Sequence, residues 1–450
     1  MIGVLGGGPA GRTAAMKLGL SGKEVTLVEK GGLGGQCLHH GCMVICALND
    51  VARVMYQARN LASLGILDDV PSFSFPRTIS QMVSVQAKIA SILDAETKSC
   101  GVSVVRGEGN VDGAALFLDG KRLDTSALVI ATGSLPRIPS IPGVHLPGVY
   151  TAHTLASMPA MPGHLLIIGG GIMAAEFAFI FNEWGADVDI AVRSTFLRQV
   201  PSALAAAARK ELEEVTIHEN CTVSRVDGEQ AVERALIRAE EREIETPCDA
   251  VLLAAGLVPN SRMVSGVRKG RDGRIVVNRR METGVPGVYA CGDVTGSPCL
   301  TPVARQEGVI AASSILGEGL EMDYTAIPQS IALAHEYAFV EVDPAGDEAV
   351  FSSPGPAGPG TFWEVPRGRT GMAEVIVSRE GGKVGSVSVA SPAGGTITAY
   401  LAFLMKGGLS VHDFSRFTEV HPSSDGVYSL MKYASERLKK DDRTPRNDCP

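Results

Sequence analysis

Cys37 and Cys42 lie in the run Gly34-Gly35-Gln36-Cys37-Leu38-His39-His40-Gly41-Cys42. In a regular helix, residues five apart are separated by about 7.5 Å along the axis, beyond what a disulfide tolerates. Gly41 supplies the local freedom to distort the turn and close the pair. A helix N-terminus lowers a thiol's pKa, and a strained or exposed disulfide is the labile kind, so this placement suits thiol–disulfide exchange. Nine cysteines scattered over 450 residues do not make a secreted disulfide framework. In a reducing compartment, a close pair is catalytic or metal-binding instead. Cys37, His39, His40, Cys42 and Cys46 also form a plausible soft-metal cluster, with structural zinc as the competing reading.

Two glycine turns must position this chemistry. Ile2–Leu5 is a short apolar strand, followed by Gly6-Gly7-Gly8-Pro9-Ala10-Gly11 and a helical pattern through Ala14, Ala15, Met16 and Leu18. This is G-x-G-x-x-G in its required strand-turn-helix context, a dinucleotide signature. Gly6 permits the tight turn, Gly8 lets backbone amides approach a pyrophosphate, and Gly11 lets helix pack on strand. The second strand, 24–28, ends at Glu29, an acid able to accept from ribose hydroxyls. At mid-chain the strand His164–Ile168 leads into Gly169-Gly170-Gly171-Ile172-Met173-Ala174 and a helix over 175–184. Two Rossmann units mean two dinucleotides. The strand after the second turn, 188–192, ends at Arg193, with Arg198 a little further on. Arginines there bind a 2′-phosphate that an acid would repel, which points to NADPH over NADH. The alternative is that Arg193 is a solvated loop residue.

With these residues the chain resembles the pyridine nucleotide-disulfide oxidoreductases, the family of dihydrolipoamide dehydrogenase, glutathione reductase and mercuric reductase. The motifs are GGGPAG at 6–11, GGQCLHHGC at 34–42, ATGS at 131–134, GGGIMAAE at 169–176, AAGLVPN at 254–260 and VYACGDV at 288–294. The resemblance runs to about residue 436. It implies an α/β protein with two Rossmann-type dinucleotide-binding domains and an α+β C-terminal dimerisation domain. The expected segments are 1–145 for FAD, 146–258 for NAD(P)H, 259–322 for the second FAD or central segment, and 323–436 for the interface domain, leaving 437–450 as a disordered tail.

The resemblance also implies roles. Asp293 holds the flavin ribityl chain, Gly109, Thr132 and Gly133 line the FAD, and Cys299, Leu300, Thr301 and Pro302 flank its ring. Lys30 and Gly35 join the FAD set, while Gly169, Gly171, Ala174, Arg193, Arg198 and Gly256 complete the cofactor residues. Cys42 is the flavin-proximal thiol and Cys37 the interchange thiol that attacks substrate. The segments YLAFLMKGGLSVHDF and EVHPSSDGVY look like the family's interface helix and catalytic-histidine loop, which makes His421 the acid–base partner for the cysteines of a second subunit. The implied enzyme is an FAD-dependent NAD(P)H:disulfide oxidoreductase, dihydrolipoamide dehydrogenase-like, working as a homodimer on a small disulfide or dithiol. The alternatives are a metal or other-acceptor reductase of the mercuric type, or a degenerate electron-transfer subunit.

Three positions depart from the pattern. Cys46 stands where the family carries a lysine ion-paired to the glutamate matching Glu176, so a third thiol is expected beside the flavin, with Glu176 deprived of its cation. Gly426 replaces the acid expected after His421, and Asp425 is the nearest substitute. Cys449 lies alone on the tail, whereas mercuric reductases and large thioredoxin reductases carry a redox pair on such an arm.

Composition narrows the classes further. Net charge is -8 with a pI near 5.7, and no long basic run exists to grip a phosphate backbone, which argues against nucleic acid. With 5% aromatics and 52 glycines, α/β units fit better than a β-sandwich. No stretch approaches the roughly 20 apolar residues of a membrane span, and the first strand at Ile2 leaves no room for a leader, so a cytoplasmic protein is expected. Cys100, Cys221, Cys248, Cys291 and Cys299 fall in apolar patterns and are expected in the core. Residues 354–360 should be a loop, and 439–450 an unstructured tail.

Overall fold

The computed structural model describes residues 1–239, 242–296, 298–342 and 346–441. They fall into two units. One comprises Met1–Ala47, Phe73–Met161 and Ala250–Asp323, the other Leu48–Ser72, Pro162–Asp249 and the chain from Tyr324 onward.

The first unit is built on a parallel sheet in the order Val288–Ala290, Ala127–Ile130, Ile2–Leu5, Val25–Glu29, Val102–Arg106. Ile2 pairs with Val25 and Leu5 with Val28, the register a right-handed βαβ crossover imposes. Ile2–Leu5 is buried at every position, as parallel strands covered on both faces must be. The crossover helix Pro9–Leu20 carries proline in its first turn, where the missing N–H costs nothing, and buries Ala14, Ala15 and Leu18. Helix Thr301–Leu316 packs against it so closely that a Cβ on Gly308 would stand 2.3 Å from the Ala10 carbonyl oxygen. A small sheet of Val264–Ser265, Gly109–Asp112, Ala115–Leu118 and Lys121–Leu123 adds Val111 and Leu116 to the core shared with Leu5 and Val28. Burying each such side chain contributes about 1.5–3 kcal/mol.

The second unit repeats the motif. Strands Thr216–His218, Asp187–Ala191 and His164–Ile168 run parallel, and the helix Ile172–Glu183 buries Phe177, Phe179 and Phe181. The C-terminal part is an antiparallel sheet in the order Gln329–Ala332, Glu336–Glu341, Val384–Ser391, Met372–Ser378, Glu348–Pro354. Its central strand is buried throughout, and Val375, Val377 and Val387 pack with Leu401 and Met405 of helix Gly394–Lys406 and with Leu430 and Met431 of helix Val427–Asp441. That last helix runs two residues beyond Lys439, where an unstructured tail was expected, because Ala434 and Leu438 continue its buried stripe. Residues 442–450, and Cys449 with them, lie outside the described residues. Among the described residues no helix is long and apolar enough to cross a membrane.

Candidate active site

The two cysteines stand on either side of a helix break. Cys37 belongs to the one-turn helix Gly35–His39, and Cys42 opens the long helix Cys42–Ser63. His40, at φ -142° and ψ -4°, ends the first, while the amides of Val44 and Ile45 turn back to the Gly41 carbonyl to start the second. Gly41 does not adopt a positive φ. It is required for closeness instead, since a Cβ there would lie 3.2 Å from the Gln36 carbonyl oxygen.

Both sulfurs face one cavity of about 530 Å³, within the usual range for ligand sites. The Cys42 thiol donates to the Cys37 sulfur, and this bond, helped by Thr301 and by the Arg305 charge against the cost of burial, lowers Cys37 to about 6. Cys42 is driven well up by the same bond and by burial. The two shifts run in opposite directions, which favours the thiolate on Cys37 and the proton on Cys42. The thiol acidity expected of the pair belongs to one member.

Behind the sulfurs runs a polar line. His153 Nε2 lies 3.2 Å from Gln36 Oε1, and the Ser134 hydroxyl donates to Asp293 Oδ2 at 2.7 Å. Burial raises Asp293, and the Ser134 bond opposes that rise. His40 stacks on His153 with centroids 4.3 Å apart, and burial, then the charges of His153 and His39, lowers His40 to about 4. His39 Nε2 meets the Leu33 carbonyl at 3.1 Å. The Cys/His cluster considered for zinc is thus split, and no group of three or more His, Cys, Asp or Glu side chains among the described residues converges as a metal would need.

The far end of the cavity is the first glycine turn. Gly6 holds φ +106°, with the Ala131 carbonyl oxygen 2.3 Å from where a Cβ would be, and Gly11 would clash with the Gly6 oxygen at 2.0 Å. Gly8 differs: a Cβ there would meet protein no closer than Gly35 Cα at 3.8 Å. The space beside Gly8 is therefore kept for something else. Glu29 accepts from Gly7 N–H at 2.6 Å and Gly31 N–H at 2.7 Å, and an ionised carboxylate has lone pairs left for a ribose. Thr132 and Gly133 are clasped by the loop at Asn260, whose amide reaches the Thr132 carbonyl at 3.2 Å.

Gly6, Gly8, Glu29, Lys30, Gly35, Thr132, Gly133, Asp293, Cys299 and Thr301 all lie on the cavity wall. Gly109 does not: a Cβ there would meet Leu5 Cδ1 at 2.2 Å, so this glycine serves sheet packing. Gly256, at φ +94°, serves the turn into Leu257–Pro259, and its carbonyl accepts from Arg137 N–H. Gly11, Leu300, Pro302 and Cys46 also lie off the wall, so a third thiol does not face this cavity. Cys46 is exposed. Cys299, expected in the core, is exposed. Cys221, Cys248 and Cys291 are buried, and Cys100 is half-buried.

In the second unit Gly169 holds φ +142°, Gly171 precedes the helix, Ala174 is fully buried, and a Cβ on Gly170 would strike Val192 at 2.3 Å. Arg193 and Arg198 are exposed. Glu176 accepts the Ala332 N–H at 3.0 Å. His421 is exposed, and Asp425 caps the last helix by accepting Val427 N–H at 2.8 Å, with its carboxyl raised to about 6 by burial. An acid at position 426 would press on Pro356, whose Cδ lies 3.2 Å from where a Cβ at Gly426 would stand.

Two strand-turn-helix dinucleotide sites, one of them walled by a polarised dithiol, define a nucleotide-linked oxidoreductase of thiols and disulfides. Residues 2–308 match the pyridine nucleotide-disulphide oxidoreductase family. The dihydrolipoyl dehydrogenase of Bacillus subtilis (strain 168) is 28% identical over 448 residues, covering 94% of this chain and 95% of that protein. That of Acholeplasma laidlawii is 32% identical over 332 residues, covering 71% of this chain and 98% of the other. The HOCl-induced flavoprotein disulfide reductase RclA from Escherichia coli shares the fold, with a TM-score of 0.84 at 24% identity over 96% of this chain and 99% of that one. The chain belongs to the pyridine nucleotide-disulphide oxidoreductase family and is a flavoprotein oxidoreductase acting on sulfur groups. The family uses FAD and a pyridine nucleotide, and the open cradle at Gly8 with Glu29 beside it fits the FAD.

Proposed function

We propose that this chain is an NADPH-linked reductase of a small disulfide, dihydrolipoamide dehydrogenase-like, in which Cys37 and Cys42 are the redox pair. The observation that carries this reading is the placement of Cys37 and Cys42, on either side of a helix break, on the wall of the FAD cradle. The Cys37 thiolate attacks one substrate sulfur, a mixed disulfide forms, and the other half leaves as a thiolate that takes up a proton. Cys42 then loses its proton and attacks the Cys37 sulfur, which closes the Cys37–Cys42 disulfide and expels the second half. FAD, when bound, supplies the two-electron link from the nicotinamide to that disulfide. Gly6, Gly8 and Glu29 would hold its pyrophosphate and ribose, and Asp293, fixed by Ser134, its ribityl chain.

Arg193 and Arg198 favour NADPH, since both are exposed and neither forms an ion pair among the described residues. The working form is a homodimer in which His421 of the partner subunit serves Cys37 and Cys42 as acid and base. Support comes from the apolar face of Tyr400, Phe403, Leu404 and Phe417, where Phe403 is 76% exposed, an area that water disfavours. A reducing compartment, the cytoplasm, suits a pair that must be cycled.

The test is reductive titration of the purified protein followed by a panel of disulfides and metal ions scored by NADPH and NADH oxidation. A yellow protein taking up about four electrons per FAD, two for the flavin and two for the disulfide, with NADPH-driven turnover of a disulfide, is expected. Uptake of only two electrons removes the redox pair, and colourless protein that does not take up FAD removes the whole reading.

A further inference from the structure

We propose that Arg305 is a specificity-determining residue that selects disulfide substrates carrying a carboxylate or similar anionic group near the sulfur pair. The proposal rests on the disulfide-reductase reading and names its substrate class. Helix Thr301–Leu316 begins at the dithiol, with the Thr301 hydroxyl 3.5 Å from Cys42 Sγ. Arg305 follows one turn later, and residues four apart on a helix share a face with about 5–6 Å between Cβ atoms. Arg305 lies off the wall of the FAD cavity, so it borders the dithiol from outside the cofactor's space, where its charge is felt at the Cys37 sulfur. The rest of that turn is committed inward: Val303, Ala304, Glu307 and Gly308 are buried, and Glu307 accepts the Gly292 N–H at 2.6 Å inside the core.

Arg305 itself is exposed and forms no hydrogen bond or ion pair among the described residues. Solvated arginines on helix faces are ordinary, but this one sits where its field reaches the Cys37 sulfur and helps hold it as a thiolate. The acids on the cavity wall do not cancel that charge. Glu29 is tied to Gly7 and Gly31 at the opposite end, and Asp293 is tied to Ser134. The approach to Cys37 therefore presents an uncommitted guanidinium, whose planar fork matches a carboxylate.

The experiment uses reduced holoenzyme of wild type, Arg305→Met and Arg305→Lys, with labelling at Cys37 read by peptide mass. Iodoacetate and iodoacetamide differ in charge, so their rate ratio reports the local potential without requiring turnover. The ratio should fall about three- to tenfold in Arg305→Met, the range expected for removing one charge several ångströms away in a wet site, and stay near wild type in Arg305→Lys. In turnover, the KM for 5,5′-dithiobis(2-nitrobenzoate) should rise several-fold in Arg305→Met relative to the KM for the neutral 2-hydroxyethyl disulfide. An unchanged iodoacetate-to-iodoacetamide ratio, or equal KM changes for charged and neutral disulfides, overturns the proposal while leaving the reductase reading standing. If wild type reduces neither disulfide, the reductase reading fails, and the alkylation ratio still decides whether Arg305 selects anions at Cys37.

Discussion

Removing the Cys42 thiol should cost Cys37 its reactivity at neutral pH, and the structure gives the size of the effect. Cys37 is lowered from 9.0 to about 6, with the Cys42 hydrogen bond as the largest cause. A group with that lowered value is a thiolate above pH 6 and is protonated as pH falls through it. At pH 7 a thiol of pKa near 6 is about nine-tenths ionised, whereas one near 9 is about one-hundredth ionised, so losing the entire shift would slow a thiolate reaction roughly ninetyfold. Cys37 is partly exposed, and Thr301 and Arg305 remain in place, so water screening and these partners retain part of the shift. An approximately tenfold loss at pH 7 is the expectation for Cys42→Ala. Cys42→Ser keeps a donor and should fall between that variant and wild type. The assay is the pH profile of iodoacetamide labelling at Cys37 in reduced enzyme, which follows thiolate population directly. A midpoint that stays near 6 in Cys42→Ala would refute the assignment of the proton to Cys42.

Two other substitutions separate ligand needs from folding needs. Gly8→Ala should fold with near wild-type melting yet retain much less FAD, because protein atoms leave room for its methyl and a bound pyrophosphate does not, whereas Gly11→Ala should destabilise the fold by a few kcal/mol or more through its clash with the Gly6 oxygen. Absorbance for bound flavin and thermal melts read the two effects separately. Arg193→Glu should shift preference from NADPH toward NADH, read as the ratio of kcat/KM for the two coenzymes; an unchanged ratio means Arg193 is a solvated loop residue.

The parts of the fold legible in the sequence are those fixed by local pattern. Strand, glycine turn and helix at Ile2–Leu20 and again from His164 need only a short window, since turn geometry and apolar periodicity are written there. The Cys37–Cys42 spacing was equally plain. What the sequence hid depends on distance. His153 and Gln36 meet although 117 residues separate them, and His153 lies in no motif. Arg305 gives no signal except its place one turn after Thr301. Gly109 and Gly41 both stand where a Cβ would be crowded, and a glycine required for close approach looks the same in sequence as one that lines a ligand or needs conformational freedom. Cys299 sits in an apolar run and is still exposed, since burial follows from how the loop is carried and not from its neighbours alone.

The same proton that makes Cys37 a nucleophile creates the requirement for a base later in the cycle. One proton serves two sulfurs, and holding it on Cys42 lowers Cys37 while raising Cys42. The first attack on substrate needs no further deprotonation at neutral pH. The second attack does, because Cys42 must release a proton that burial and its sulfur partner hold tightly. Once Cys37 is tied into the mixed disulfide, it no longer accepts that hydrogen bond, and the Cys42 thiol falls back toward ordinary acidity, within reach of an imidazole. His40 and His153 are poor choices for that role: His40 is lowered to about 4 and stacked, and His153 is lowered by burial and directed at Gln36. In the proposed dimer, the exposed His421 of the partner subunit is the residue left to take that proton, so the proposed polarity of the dithiol and the proposed dimer stand or fall together.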